Sequence, residues 1–317
     1  SCKKTMDAVK QQQFLFWQQW DSLRAYANGK GIKLIGDLPI YVAPDSVDTW
    51  AHREAFQLDE QGHLKKRAGV PPDYFTPEGQ DWGNPLYDWD ALKADGYDWW
   101  IRRMQFCAKH YDTVRLDHFR SFSAYYAISA GKTAKEGQWQ PGAGIDFFRA
   151  LKDALAGDPA LQKASGSDAS APMGIIAEDL GALDAGVYNL LKEAALPGMN
   201  VWQFNAFEMA AMTEKEASGR IFYSGTHDNQ TLLGWCRDTF PGKDAAEEAA
   251  AIVKKLYESH SPWVILQLQD LLGLGDEARM NVPGTPEGNW TWQAEAEALT
   301  AEKAAAFRKL AESSNRL

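Results

Sequence analysis

The chain is poor in the residues that cross-link or metallate small proteins. Only three cysteines occur in 317 residues, Cys2, Cys107 and Cys236, far apart and odd in number. They make neither a disulfide framework nor a CxxC pair, which fits a reducing compartment, and a cytoplasmic location is expected. The six histidines give no HExxH or HxH pair, so no metal is expected. No run of 18 apolar residues is present, and the opening SCKKTMDAVKQQQ holds no signal-peptide core; no membrane partner is expected. Long basic blocks are missing too. With 33 Lys and Arg against 43 Asp and Glu, the formal charge is −10, which argues against nucleic acid as a partner. Neither GxGxxG nor GxxxxGK[ST] appears, so a nucleotide-cradling loop is excluded and no cofactor is expected.

What is there begins with tryptophan. The chain has 13 Trp beside 11 Tyr and 14 Phe, in a composition that is 45% hydrophobic and 24% charged. That suits a packed core and excludes disorder. A single Trp reads as core filler; this many invite a ligand with flat apolar faces, and sugars have them.

Periodicity predicts an opening helix with Phe16, Trp20, Leu23 and Ala27 on its buried stripe, Trp17 beside it, and Gly29 and Gly31 ending it. Trp17 and Trp20 are expected in the core. Helices are further predicted over 97–111, 141–155, 183–194, 244–258 and 301–313, and strands at IKLIGDLPIYV (32–42), TVRLD (113–117), GIIAED (174–179), MNVWQF (199–204) and RIFYSG (220–225). VILQLQDLL (264–272) is ambiguous, and 43–95 reads as a long loop. At least one of Trp99 and Trp100 is expected in the core, and as neighbours on a helix they are not both expected to face fully inward. Trp82, Trp89, Trp290 and Trp292 lie in Pro/Gly-rich stretches, where stacking on sugar and packing compete. Short strands alternating with helices, with polar residues at the strand ends, indicate a parallel α/β fold. Chemistry after at least four separate strands suits a (β/α)8 barrel better than a doubly wound sheet.

Four strand ends deliver carboxylates: Asp37 in IGDLPIY, Asp117 in VRLDHFR, Glu178 in IIAEDLG and Asp228 in GTHDNQT. Any one alone reads as a loop cap or solvated charge. Together, their repulsion and desolvation would cost stability, and such a cost tunes pKa values for proton transfer or nucleophilic attack. Clustered acids also suit a cation, but Arg115 shares a strand face with Asp117 and favours an ionised carboxylate without a metal. His118 and His227 beside these acids suit hydrogen bonds to sugar hydroxyls. Cys236 reads as inert filler.

The stretches GDLPIYVAPDS, GVPPDYF, GQDWGNPLYDW, RLDHFR, IIAEDLG, PGMNVWQF, GTHDNQT and RMNVPGTPEGNW resemble, in order, those of the 4-α-glucanotransferases (amylomaltases, glycoside hydrolase family 77). The likeness runs from about residue 14 to 310. It implies a (β/α)8 barrel, here a single catalytic domain over 1–317 without its N-terminal part, and a retaining mechanism on maltodextrins and other α-1,4-glucans. It further implies Asp117 as nucleophile, Arg115 as its positioner, Glu178 as general acid and base, and Asp228 as transition-state stabiliser. His227 and Asp37 would hold hydroxyls of the sugar, with Tyr74 and Trp82 as sugar contacts on a covering loop. Three departures stand out: Ser121 where Gly often follows DHFR, Asp81 where the GQxWGNP loop is often apolar, and Val47 and Thr49 in place of the DSADVWA pattern. An α-glucan hydrolase and an inactive glucan-binding barrel are the alternatives. Reducing ends rise under hydrolysis and stay constant under transfer.

Overall fold

The computed structural model describes residues 2–72, 76–157, 174–285 and 287–317. Two compact units divide the chain, Ser1–Leu196 and Pro197–Leu317.

Seven strands are described in the first unit: β1 (Ile35–Leu38), β2 (Lys66–Val70), β3 (Gln80–Pro85), β4 (Thr113–Leu116), β5 (Ala124–Ser129), β6 (Gln138–Pro141) and β7 (Gly174–Ala177). β1, β4 and β7 form a parallel sheet in the order β1-β4-β7. Its apolar face carries Leu38, Val114, Leu116 and Ala177 into the core. Against it pack the helices Asp98–His110, Gly144–Ala156 and Ala185–Ala194. Trp100, Phe122 and Phe147 meet at its centre, with Phe122 and Phe147 stacked at 5.2 Å. Burying each such side chain stabilises the fold by roughly 1.5–3 kcal/mol.

The remaining four strands make an antiparallel sheet in the order β3-β2-β5-β6. This corrects the long loop expected over 43–95. The segment instead holds β2, β3 and the short helices Val47–Ala51 and Trp89–Ala94. Glycine and proline hid the strands, and β5, the second partner of β2, lies far along the chain. Gly69 marks a register shift between β2 and β3, where a Cβ would lie 2.2 Å from the Gln80 carbonyl oxygen.

The opening helix, Cys2–Gly29, is real, but its buried stripe is not the expected one. Phe16 and Leu23 are exposed, and Trp17 and Trp20 are half-buried rather than in the core. The face that packs runs through Trp17, Trp20, Arg24 and Ala27. It lies on Phe106, His110 and Tyr111. Arg24 donates to Asp112, which also accepts the Leu34 N–H, so the helix ties together the starts of β1 and β4. Trp99 and Trp100 are both buried, and they face different ways. Arg103 lies over both rings, and Trp99 turns onto Phe56 and Tyr87 while Trp100 enters the centre.

The second unit has β8 (Gly198–Val201), β9 (Arg220–Tyr223) and β10 (Val264–Ile265), parallel in the order β10-β9-β8. The ambiguous 264–272 resolves into β10 and the helix Leu268–Leu272. Helices Leu232–Thr239 and Ala245–Tyr257 begin at Thr231 and Asp244, whose side chains accept first-turn N–H groups. Their apolar faces bury Leu232, Cys236, Ile252 and Leu256 with Phe222 and Trp202. Cys236 is fully buried and burial pushes its thiol up to about 11, which suits filler. The helix Ala301–Ser313 follows, capped by Thr300. Among the described residues, no helix is long and apolar enough to cross a membrane.

Candidate active site

Strand register builds the site in the first unit. Asp37 of β1 is paired with Arg115 of β4, and Leu116 with Ala177 of β7. Side chains alternate along a strand, so Asp37, Arg115, Asp117 and Glu178 share the face opposite the core. The ladder continues past the strands: the Asp117 N–H donates to the Leu38 carbonyl and the Glu178 N–H to that of Leu116. The main chain that carries both carboxylates is therefore fixed.

Arg115 organises the charges. Its Nη1 lies 2.7 Å from Asp37 Oδ1 and 3.0 Å from Asp117 Oδ1. Burial works against its charge, but Asp37, Asp117 and Glu178 more than offset that and hold it protonated. Glu178 is buried where Asp117 is partly open. Burial first, and the Asp117 charge second, push its carboxyl up to about 7, against Arg115 and two main-chain donors. Those donors are the Leu180 N–H to Oε1 at 2.8 Å and the His118 N–H to Oε2 at 2.7 Å. One acid thus keeps a guanidinium partner while its neighbour holds a proton near neutral pH, which is the division of labour acid–base chemistry needs.

His118 stands at the junction. Its φ of 48° is left-handed, which costs a non-glycine residue roughly 1–2 kcal/mol. Burial, and then the Arg120 charge, lower its imidazole to about 4, so the ring is neutral. Its Nε2 is buried with no hydrogen-bond partner among the described residues. The ring meets Trp82 edge to face at 4.8 Å. Trp82 is half-buried on β3, its Nε1 donating to Gln80 Oε1. Trp89 packs on Tyr87 and Trp100 and belongs to the core. Tyr74 lies outside the described residues.

The departures in the motifs have structural explanations. Asp81 pairs with Arg67 across the β2–β3 hairpin at 2.6 Å. Ser121 is buried with its Oγ 3.0 Å from the Tyr41 hydroxyl. Thr49 is buried and donates to the Pro44 carbonyl, whereas Val47 is simply exposed.

His227 and Asp228 follow β9 in the second unit. Asp228 Oδ1 accepts from Asn281 Nδ2 at 2.6 Å, and its main-chain carbonyl accepts from Arg279 Nη2 at 2.6 Å. His227 Nε2 lies 3.5 Å from Asp228 Oδ2, and the Trp290 ring covers the imidazole at 5.2 Å. Gly225 opens this turn because a Cβ there would meet the amides of Gln267 and Gln203 at 2.5 and 2.9 Å. Arg279 and Asn281 were not singled out from the sequence. They lie about fifty residues from Asp228, and only the folded turn reveals the pairing. Among the described residues no group of three or more His, Cys, Asp or Glu could hold a metal ion.

The family model for glycoside hydrolase family 77, described as 4-alpha-glucanotransferase, matches residues 1–299. The chain belongs to glycoside hydrolase family 77. Within that family it is 40% identical to a 4-alpha-glucanotransferase of Thermus thermophilus, over 96% of this chain and 62% of that protein. It is 38% identical to a chloroplastic/amyloplastic 4-alpha-glucanotransferase of Solanum tuberosum, over 92% of this chain and 50% of that one. The amylomaltase of Streptococcus agalactiae, solved with acarbose, superposes with a TM-score of 0.84 at 37% identity, over 96% of this chain and 62% of the other. The α/β fold of the family-77 chain is thus that of an amylomaltase over the part it covers. It spans about half to three-fifths of the length of these relatives.

Proposed function

We propose that this family-77 chain carries the catalytic groups of a 4-α-glucanotransferase acting on maltodextrins, and that its α/β fold is part of a (β/α)8 barrel. The observation that carries the reading is the split between Asp117, partly open and 3.0 Å from the Arg115 guanidinium, and Glu178, buried and pushed up to about 7. In the first step the Asp117 carboxylate attacks the anomeric carbon, and the glycosidic C–O bond breaks as its oxygen takes the Glu178 proton. In the second, the Glu178 carboxylate removes a proton from an acceptor sugar hydroxyl. That oxygen attacks the anomeric carbon and releases Asp117. Such a pair works at a carboxyl separation of roughly 5–5.5 Å.

Asp37, His227 and Asp228 are assigned to hydroxyls of the reacting sugar, with Asp228 stabilising the oxocarbenium-like transition state. Trp82 and Tyr74 are assigned to sugar faces. The three free thiols suit a reducing compartment, and the cytoplasm is the location proposed.

Maltotriose is the test substrate. The expected products are glucose and longer maltodextrins, with the total of reducing ends unchanged, and Glu178→Gln is expected to abolish transfer. A rising total would make the protein a hydrolase. Binding of maltodextrin with no turnover would make it a glucan-binding barrel, and intact transfer in Glu178→Gln would refute the assigned proton donor.

A further inference from the structure

The peptide that links the proposed nucleophile to the next residue does more than connect them. Its N–H, on His118, donates to Glu178 Oε2 at 2.7 Å. The chain then turns through φ 48°, and this left-handed turn lets the next N–H, on Phe119, reach the Glu178 main-chain carbonyl at 2.9 Å. Residue 118 must hold that unusual conformation for both bonds to form, and only glycine does so at no steric cost. Histidine nevertheless stands there, with a ring that touches Trp82 at 4.8 Å and a buried Nε2 that makes no hydrogen bond among the described residues. With that nitrogen unbonded, what the ring offers its surroundings is its shape, set against Trp82.

We propose that His118 is a positioning residue with two separable duties. Its left-handed main chain clamps the acid/base carboxyl of Glu178, and its ring braces Trp82. The inference rests on the proton-donor role given to Glu178 above. The first duty acts on the proton. An N–H donor favours the ionised carboxylate, so the clamp keeps Glu178 acidic enough to release its proton despite burial. The charged groups that face Glu178 are Asp117 and Arg115, which pull in opposite directions. The second duty acts on the aromatic surface and leaves the proton alone.

Comparing His118→Gly with His118→Val separates the two. Both remove the ring, but glycine keeps the left-handed turn and a β-branched residue opposes it. Both variants are expected to raise KM for maltotriose about threefold to tenfold. In a Trp82→Ala background His118→Gly is expected to add little further, since both act on one surface. Only His118→Val is expected to lower kcat, by about tenfold. Only it should move the alkaline limb of kcat/KM upward, by roughly half a pH unit to one unit, as a lost hydrogen bond to the carboxylate requires. His118→Ala should fall between them, and the Ala–Gly comparison decides should the valine variant fail to fold by circular dichroism. A limb that stays put in both Ala and Val variants, or that moves as far in Gly, would overturn the clamp. Additive KM effects of His118→Gly and Trp82→Ala would overturn the brace. The underlying reading fails separately, through full activity of Glu178→Gln.

Discussion

The two carboxylate neighbourhoods of this chain are built from different materials. In the first unit, Asp37, Asp117 and Glu178 crowd around one guanidinium, and burial first and the neighbouring charges second set the proton affinity of Glu178. In the second, Asp228 is held by an amide and by the main chain's own carbonyl contact to Arg279, and its side chain is 45% exposed. The first arrangement tunes proton affinity. The second fixes direction. A double displacement needs both, because nucleophile and proton donor must differ in pKa, whereas a transition-state stabiliser needs only to be ionised and correctly aimed.

Breaking that contrast takes one substitution on each side. Arg115→Met removes the cation shared by Asp37 and Asp117, and kcat should fall by roughly two to four orders of magnitude, the range of general acid–base effects. Arg115 lowers the Glu178 carboxyl, so the alkaline limb of kcat/KM should also move to higher pH. Asn281→Ala removes an aiming contact only. About tenfold loss of kcat is expected, with the limb unmoved, and a limb that shifted in both variants would erase the distinction.

Stability sharpens the comparison further. Glu178 has its folded pKa raised to about 7, above the roughly 4.3 of an unfolded glutamate. Between those values the folded state binds the extra proton. Stability is therefore fully present below about pH 4 and declines as pH rises through 7, by about 4 kcal/mol in all. Glu178→Gln should remove that decline and leave the variant more stable than the wild type at pH 8, read by thermal melts at pH 5 and pH 8. Equal pH dependence in both proteins would mean that Glu178 is not held protonated.

Much of this was legible in the sequence because period-2 alternation and strand ends are local features. IGD, VRLD and IIAED announced both the strands and the acids after them. Non-local pairing was less visible. β2 and β3 lie in a stretch rich in glycine and proline, and β2 finds its second partner only in the distant β5, so they read as loop. The opening helix was recognised by its period, yet Phe16 and Leu23 fit a stripe that the contacts with Phe106, His110 and Tyr111 do not use. Hydrophobicity alone does not say which of two overlapping stripes meets a partner. The clamp on Glu178 was beyond reach, since it depends on one backbone angle at His118 and on donors that every residue carries.

The protonation of Glu178 is the point on which the chemistry turns, and carboxyl titration by NMR reads it directly. With the glutamate side chains labelled with carbon-13, the signal present in the wild type and missing in Glu178→Gln reports this group alone. A midpoint near 7 is the expected result, and a midpoint near the ordinary 4.3 would contradict the assignment of Glu178 as the proton donor.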